Sequence, residues 1–190
     1  MIPLPLEQLW VSLLAWSLLH WSDYYLTLAT ARAHAGPASQ VLILEGGVEL
    51  TPQFRQDVAR RRIVSPRFLL SWLLILLWIS LLWVLTIRAM DLTRLFRGIV
   101  GGMLLLEFAI HLRHLRNLFL FRLVNRTGQP SGRMVYPRRV LLLTSAAELT
   151  AFSAFYGLLF ILTGAVEAAG GAVLCLLVGV RHWLWSRGEP

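Results

Sequence analysis

The chain has 190 residues, of which 57% are hydrophobic, and it carries a formal net charge of +8. Its mean hydropathy is +0.64, and soluble domains are usually only about 45–50% apolar. The apolar residues are collected in runs of roughly 18–25 residues between arginine-rich segments, as in polytopic helical membrane proteins. This composition excludes a large soluble domain. The chain has no lysine and its arginines stand beside apolar runs, which favours anionic lipid headgroups over nucleic acid as the partner.

Five apolar runs predict an all-α transmembrane helix bundle of about five spans, which forms a single domain over residues 1–190. In chain order the predicted spans are 8–31, 67–90, 96–121, 138–163 and 166–185. The first run follows Glu7 and lacks a basic leader, so we expect a retained span and not a cleaved signal peptide. Cys175 is the only cysteine, which excludes an intrachain disulfide and a cysteine-based metal cage.

The connector 32–66 between the first two spans is long for so small a protein, and long connectors are often functional. Two short β-prone runs on either side of Glu45 predict a short hairpin or a re-entrant segment at 40–50. Thr51 as the N-cap and Pro52 at the first helical position predict that a helix starts there. We expect this helix to lie on the membrane surface.

The arginines predict the orientation of the spans. If the N-terminus lies outside, only Arg88, Arg94 and Arg97 fall on the outer side, and the other 15 of the 18 basic residues fall on the inner side. Short cytoplasmic loops carry an excess of arginine. We therefore expect a multi-pass protein of the bacterial cytoplasmic (inner) membrane, with the N-terminus outside and the C-terminus in the cytoplasm.

Three predicted spans carry a polar stripe that includes an acid. The stripes are His20, Asp23 and Thr27 in the first span, Glu107, His111 and His114 in the third, and Glu148 in the fourth, with Tyr156 two turns later. Spacings of three and four residues place side chains on one helix face. An Asp at the centre of a span costs about 2.5–3.5 kcal/mol, so three acids should not all face lipid. We expect the stripes of spans one, three and four to face one another, with spans two and five flanking them.

Two short stretches carry a family resemblance. They read Asp23-Tyr24-Tyr25-Leu26-Thr27 in the first span and Glu49-Leu50-Thr51-Pro52 in the connector. They resemble the Asp-x-x-x-Thr and Glu-x-Asn-Pro elements of an uncharacterised family of small prokaryotic integral membrane proteins, with Thr51 in place of the asparagine. The resemblance covers residues 20–60 and brings no established activity. It implies that Asp23 and the Glu49–Pro52 corner are neighbours.

The polar residues admit three interpretations. They form a structural network that fixes helix register, or a site for a proton, a cation or a small solute. Alternatively, a metal is bound by His20, Asp23, Glu107 and His111, which would permit a hydrolase. The intramembrane site is predicted to comprise His20, Asp23, Thr27, Glu107, His111 and Glu148, with Glu49, Thr51, Pro52, Tyr24 and Tyr156 as secondary candidates. No metal or cofactor is assigned from the sequence.

Three basic residues at the inner end of the third span, Arg113, His114 and Arg116, are predicted to contact lipid headgroups. Phosphate-binding glycine-rich, Gly-x-Ser-x-Gly and His-Glu-x-x-His motifs are absent from the sequence, which favours a protein that is not an enzyme. We therefore expect a membrane protein that handles a proton, cation or small solute. The alternatives are an accessory or assembly subunit, whose second span binds partner helices or another copy, and a metal-dependent hydrolase.

Overall fold

The computed structural model describes residues 5–45, 47–127 and 132–188. Its helices are α1 (Leu9–His34), α2 (Ala38–Val41), α3 (Pro52–Ala59), α4 (Pro66–Trp83), α5 (Thr93–Thr127), α6 (Arg138–Thr163) and α7 (Val166–Arg187), and its strands are β1 (Leu42–Leu44) and β2 (Met134–Tyr136). A π-helical segment, Val84–Ala89, continues α4. The structure confirms the predicted helical bundle.

Four helices are long and apolar enough to cross a membrane, namely α4 with its π-helical end, α5, α6 and α7. The fifth long helix, α1, has 26 residues but is not among these four. Polar side chains within it, including His20 and Asp23, lower its hydropathy. Among the described residues, four helices therefore have the length and hydropathy of membrane spans.

The tightest packing in the bundle involves α7, which contacts both α5 and α6, and α1 packs against the other side of α5. Helices α5 and α7 approach each other closely because glycines, which have no side chain, lie where the two helices cross. A Cβ added to Gly102 would lie 2.7 Å from the carbonyl oxygen of Gly170. Small residues allow such close approach of helix backbones. This differs from the expected arrangement, because α7 lies between α5 and α6 instead of flanking them.

Helix α4 starts with a well-formed N-terminus. The Ser65 hydroxyl accepts a hydrogen bond from the Phe68 amide at 3.2 Å and donates one to Asp57 at 2.7 Å. Beyond this point α4 touches the bundle only along a narrow stripe. Only 11% of its most apolar 18-residue segment is buried. Two of its three tryptophans contact α1 and the segment before it, since Trp72 donates to Ser17 and Trp83 donates to the Glu7 carbonyl.

The two strands replace the predicted hairpin at 40–50. β1 pairs in parallel with β2, which lies in the α5–α6 connection, and Leu42 is opposite Met134. The second β-prone run, 48–50, is not a strand. Asn125 holds the connector in place, because its side chain accepts from the Ala38 amide and donates to the Ala33 carbonyl, both at 2.8 Å. The strand partner of 42–44 is thus about 90 residues away in the sequence, beyond the reach of any local pairing rule.

Candidate polar site between α1 and α5

The interface of α1 and α5 brings three predicted site residues together. Asp23, Glu107 and His111 each offer one ligand atom, and these atoms all lie within 4.8 Å of one another. Glu107 and His111 are four residues apart on α5, so both side chains face α1. Glu107 is only 9% exposed, whereas Asp23 and His111 are half-buried. The three residues lie near the middle of their helices.

The hydrogen bonds of His111 define its tautomer. Its Nδ1 lies 2.7 Å from the Glu107 carbonyl oxygen, which only accepts, so Nδ1 carries the proton. Its Nε2 lies 2.7 Å from the Ser22 hydroxyl. That hydroxyl also lies 2.9 Å from the Leu19 carbonyl. A hydroxyl has one proton, so Leu19 and the Nε2 lone pair compete for it.

Thr27 and His114 extend the site toward the C-terminal ends of α1 and α5. The Thr27 hydroxyl lies 3.2 Å from Nε2 of His114, and the same nitrogen lies 3.6 Å from Oδ1 of Asp23. Both Thr27 and His114 are buried. Within the described residues, Asp23 Oδ1, Glu107 Oε2 and His114 Nδ1 are buried polar atoms without a hydrogen-bond partner. Such atoms are rare in proteins and call for an explanation.

A third carboxyl group reaches the site from the connector. Glu49 interacts electrostatically with Asp23, and its carboxylate accepts a hydrogen bond from the Thr51 amide at 2.6 Å. This bond ties the carboxylate to the start of α3 at Pro52, where Thr51 is the N-cap residue and its side chain makes no capping hydrogen bond. Burial raises the pKa of the Glu49 carboxyl above its ordinary value.

Arg113 is the cation that all three carboxyl groups share, because it interacts electrostatically with Asp23, Glu49 and Glu107. Glu49 also interacts with Arg55, so two guanidinium groups face three acids. A buried carboxylate without a paired positive charge is strongly unfavourable. The arrangement can hold further positive charge in the form of protons or of a bound cation.

Two predicted residues of α1 face a different neighbour. The His20 ring stacks between Trp16 and Phe68, with centroid distances of 5.3 and 4.8 Å. Tyr24 stacks on Phe68 at 4.3 Å and donates its hydroxyl proton to the Arg62 carbonyl at 2.7 Å. Both side chains thus face α4 and the connector, although helical spacing puts His20 close to the Asp23 face.

A groove of about 290 Å³ lies beside the polar site, between α5, α6 and the strand pair. Its polar wall contains an ion pair of Arg116 with Glu148. On the same wall, Arg113 donates a hydrogen bond to the Ser145 hydroxyl. Apolar residues line much of the rest of the groove, among them Leu42, Leu44, Leu120, Phe121 and Leu141. The structure thus places Glu148 in the groove wall, and two of the three predicted headgroup residues already have protein partners there.

Comparisons of the chain with protein-family models, with curated proteins and with solved structures found no match. The inference of function therefore rests on the geometry of this molecule.

Tyr156 lies away from the polar site. Its hydroxyl donates to the Leu105 carbonyl at 3.1 Å, and its ring packs in the small core that α5, α6 and α7 form around Cys175. This hydrogen bond links α6 to α5 next to the glycine contact with α7. Tyr156 is therefore a packing residue in the described structure.

Sequence reasoning missed two residue sets. Ser22 contacts His111, and its place next to Asp23 was the available signal. Ser145 and His182 form a buried pair in which the Ser145 hydroxyl lies 2.8 Å from Nδ1 of His182. The signal for His182 was its spacing on α7, three residues after Gly179 and seven after Cys175, both of which are buried.

Proposed function

We propose that the chain is an integral membrane protein that handles a proton or another cation at the site formed by Asp23, Glu107 and His111. The observation that carries the proposal is the convergence of their ligand atoms within 4.8 Å, with buried carboxylate oxygens of Asp23 and Glu107 that lack partners among the described residues. Acids in membrane-length helices commonly mark ion or proton pathways. A site of this size suits a proton or a cation better than a larger solute.

Charge balance supports the same function. The carboxyl groups of Asp23, Glu49 and Glu107 share the guanidinium of Arg113, and Glu49 also interacts with Arg55, so three acids face two guanidinium groups. A network that served only to fix helix register would be expected to pair its charges within the protein. Here a deficit of positive charge remains, and a mobile cation or proton can fill it. His111 stands next to the carboxyl groups, and its Nε2 offers a lone pair on the side facing α1.

The membrane placement is part of the proposal. α1 presents exposed apolar side chains on its outer face, with Trp10, Leu14 and Leu18 exposed by 65%, 53% and 64%. This face supports α1 as a fifth span in contact with lipid. The arginine-poor end of the bundle, where Arg97 pairs with Glu167 at 2.6 Å, would then be outside. The arginine-rich end with the connector would be in the cytoplasm of a bacterial cell, in contact with anionic headgroups.

Flux through reconstituted protein tests the proposal. Purified full-length chain is inserted into liposomes, and uptake is followed with a pH-sensitive or cation-sensitive dye under an imposed gradient. We expect Asp23→Asn and Glu107→Gln to abolish flux that the wild type supports. Asp91→Asn is the matched control, because Asp91 is exposed in the turn before α5 with φ of 53°, a conformation that asparagine also tolerates. Absence of flux in the wild type under every proton and cation gradient would refute the function.

A second candidate function, an accessory subunit of a larger membrane complex, is supported by α4. Leu70, Leu73, Leu74 and Leu77 are each more than half exposed on one helix, and such a face can bind partner helices as well as lipid. Membranes solubilised in mild detergent and separated by native electrophoresis distinguish the two. A complex that is larger than the chain alone, and that is lost when two of these leucines are replaced by serine, would favour the subunit.

A further inference from the structure

The donor atoms of the polar site are those of a transition-metal site. Two carboxylates and one imidazole, from Asp23, Glu107 and His111, lie within 4.8 Å of one another. Hard cations such as Mg²⁺ and Ca²⁺ prefer all-oxygen sites, whereas imidazole favours Zn²⁺ and the neighbouring first-row metals. We propose that Asp23, Glu107 and His111 bind one divalent first-row transition-metal ion. This inference rests on the proposed function, since it names the cation of the same site.

The unpartnered oxygen of Glu107 is an independent indication of a ligand. Glu107 is 9% exposed, and its Oε2 has no hydrogen-bond partner among the described residues. The Asp23 Oδ1 atom is in the same situation, apart from His114 Nε2 at 3.6 Å. An acid that is nine-tenths buried with an open lone pair is costly unless something binds it. A divalent cation would satisfy both oxygens at once.

His111 is prepared for metal binding by its own helix. Its Nδ1 proton is held by the Glu107 carbonyl, which directs the Nε2 lone pair away from the α5 backbone. Metal-bound histidines commonly donate their second ring nitrogen to a backbone carbonyl in this way. The Ser22 hydroxyl beside Nε2 has the Leu19 carbonyl as an alternative acceptor at 2.9 Å. When a metal binds Nε2 of His111, the Ser22 hydroxyl can therefore still donate its proton to the Leu19 carbonyl.

The separation of the donors is close to what a metal requires. Zinc ligands of these types lie about 2.0–2.2 Å from the ion in a tetrahedral arrangement, so neighbouring donors are about 3.3–3.6 Å apart. The present limit of 4.8 Å exceeds this separation by about 1.2–1.5 Å. Rotation of the half-buried side chains of Asp23 and His111 can remove the difference while α1 and α5 stay in place.

Cobalt binding tests the proposal directly. Full-length protein without an affinity tag is freed of metal with a chelator in detergent micelles and titrated with Co²⁺, whose visible absorption bands report nitrogen and oxygen ligation. We expect saturation at one ion per chain. Asp23→Asn, Glu107→Gln and His111→Gln should each weaken binding by about 10- to 100-fold or more, because ligand loss exceeds the effect of losing a supporting group. Asp91→Asn and Glu45→Gln, both at exposed positions, should leave it unchanged.

The outcomes separate this inference from the proposed function. Saturable Co²⁺ binding that is weakened in all three site variants supports the metal site, even if no flux is found. If the metal-free protein supports flux and Glu107→Gln abolishes that flux, the site handles protons without a metal. Absence of stoichiometric Co²⁺ binding, or binding that all three site variants retain, would overturn the proposal. Circular dichroism and gel filtration show which variants are folded. If one of the three site variants does not fold, the other two still test the proposal.

Discussion

Two regions of α5 bury polar and small residues, and these residues have different roles in each region. In the N-terminal half, Gly98 and Gly102 press against Gly170 of α7, and the neighbouring Arg97 is paired with Glu167. In the middle of the helix, Glu107 and His114 face α1 with carboxylate and imidazole atoms that lack partners in the described part of the chain. The polar groups of the first region are partnered within the protein, and these two atoms are not.

This contrast separates scaffold from site. Buried polar groups that fix helix register have their hydrogen bonds completed by the protein, as Ser153 does when it donates to the Ala172 carbonyl at 2.7 Å. Unpartnered buried groups reduce stability and persist where they are useful. Changes in the scaffold should therefore lower the free energy of unfolding, and changes in the polar site should alter cation handling with little loss of stability.

The largest effect is expected for Gly170→Val. Any Cβ at this position would overlap the Gly98 carbonyl oxygen across the α5–α7 contact. Overpacking usually costs about 1–3 kcal/mol, and a clash with rigid backbone should exceed that range and prevent folding of the bundle. Gel filtration and thermal unfolding in detergent measure the outcome. Gly157→Ala is the matched control, because nothing lies within 4 Å of its added Cβ, and normal stability of Gly170→Val would contradict the packing account.

Ser145→Ala should have the next largest effect. Its hydroxyl lies 2.8 Å from Nδ1 of His182 and accepts from Arg113, so its removal leaves buried partners unsatisfied at a cost of about 1–3 kcal/mol. Denaturant titration in detergent micelles measures the loss. Ser80→Ala is the control, since the Ser80 hydroxyl donates to the Leu76 carbonyl of its own helix at 2.9 Å. Equal stability of the two variants would remove the Ser145–His182 pair from the scaffold.

Glu167→Gln should have a smaller effect. Its ion pair with Arg97 is partly exposed, with side chains 22% and 35% exposed, and such pairs contribute about 0.2–1 kcal/mol. The loss should shrink at high salt because screening weakens the pair in the wild type. Unfolding titrations at two ionic strengths provide the measurement. A loss that is large and independent of salt would show that packing against Gly101, and not charge, is the role of Glu167.

Glu49→Gln should change the pH dependence of stability more than stability itself. Burial raises the pKa of Glu49, so the unfolded chain ionises first as the pH rises. The wild type then loses stability above the ordinary pKa of glutamate until the folded-state pKa is passed. Glutamine can still accept from the Thr51 amide, and the variant should be more stable than the wild type at neutral pH and equal to it in acid. If Glu49→Gln lowers the free energy of unfolding more at neutral pH than in acid, the role assigned to burial is wrong.

Much of the bundle could be predicted from the sequence, because hydrophobic length and spacing are local properties. The helix that contains Glu107 and His111, and the shared face of that pair, follow from apolar runs and from four-residue spacing. The strand pair of Leu42 with Met134 could not be predicted, since it depends on how distant connectors meet.

The surroundings of individual residues were harder to predict. His20 lies three residues before Asp23, yet its ring stacks against Phe68 of α4. A helix face is broad enough for two neighbours to share, so spacing alone does not decide which helix a residue contacts. The central place of α7 depends on the match of Gly102 with Gly170, and a single sequence does not show which small residues meet.

The unfolding free energy of metal-free Glu107→Gln, compared with the wild type at neutral pH, tests the distinction between site and scaffold most directly. Glu107 Oε2 has no hydrogen-bond partner among the described residues, and the glutamine side chain has the same size without the negative charge. We expect equal or greater stability for the variant. A loss as large as that of Ser145→Ala, about 1 kcal/mol or more, would contradict it and make Glu107 part of the scaffold.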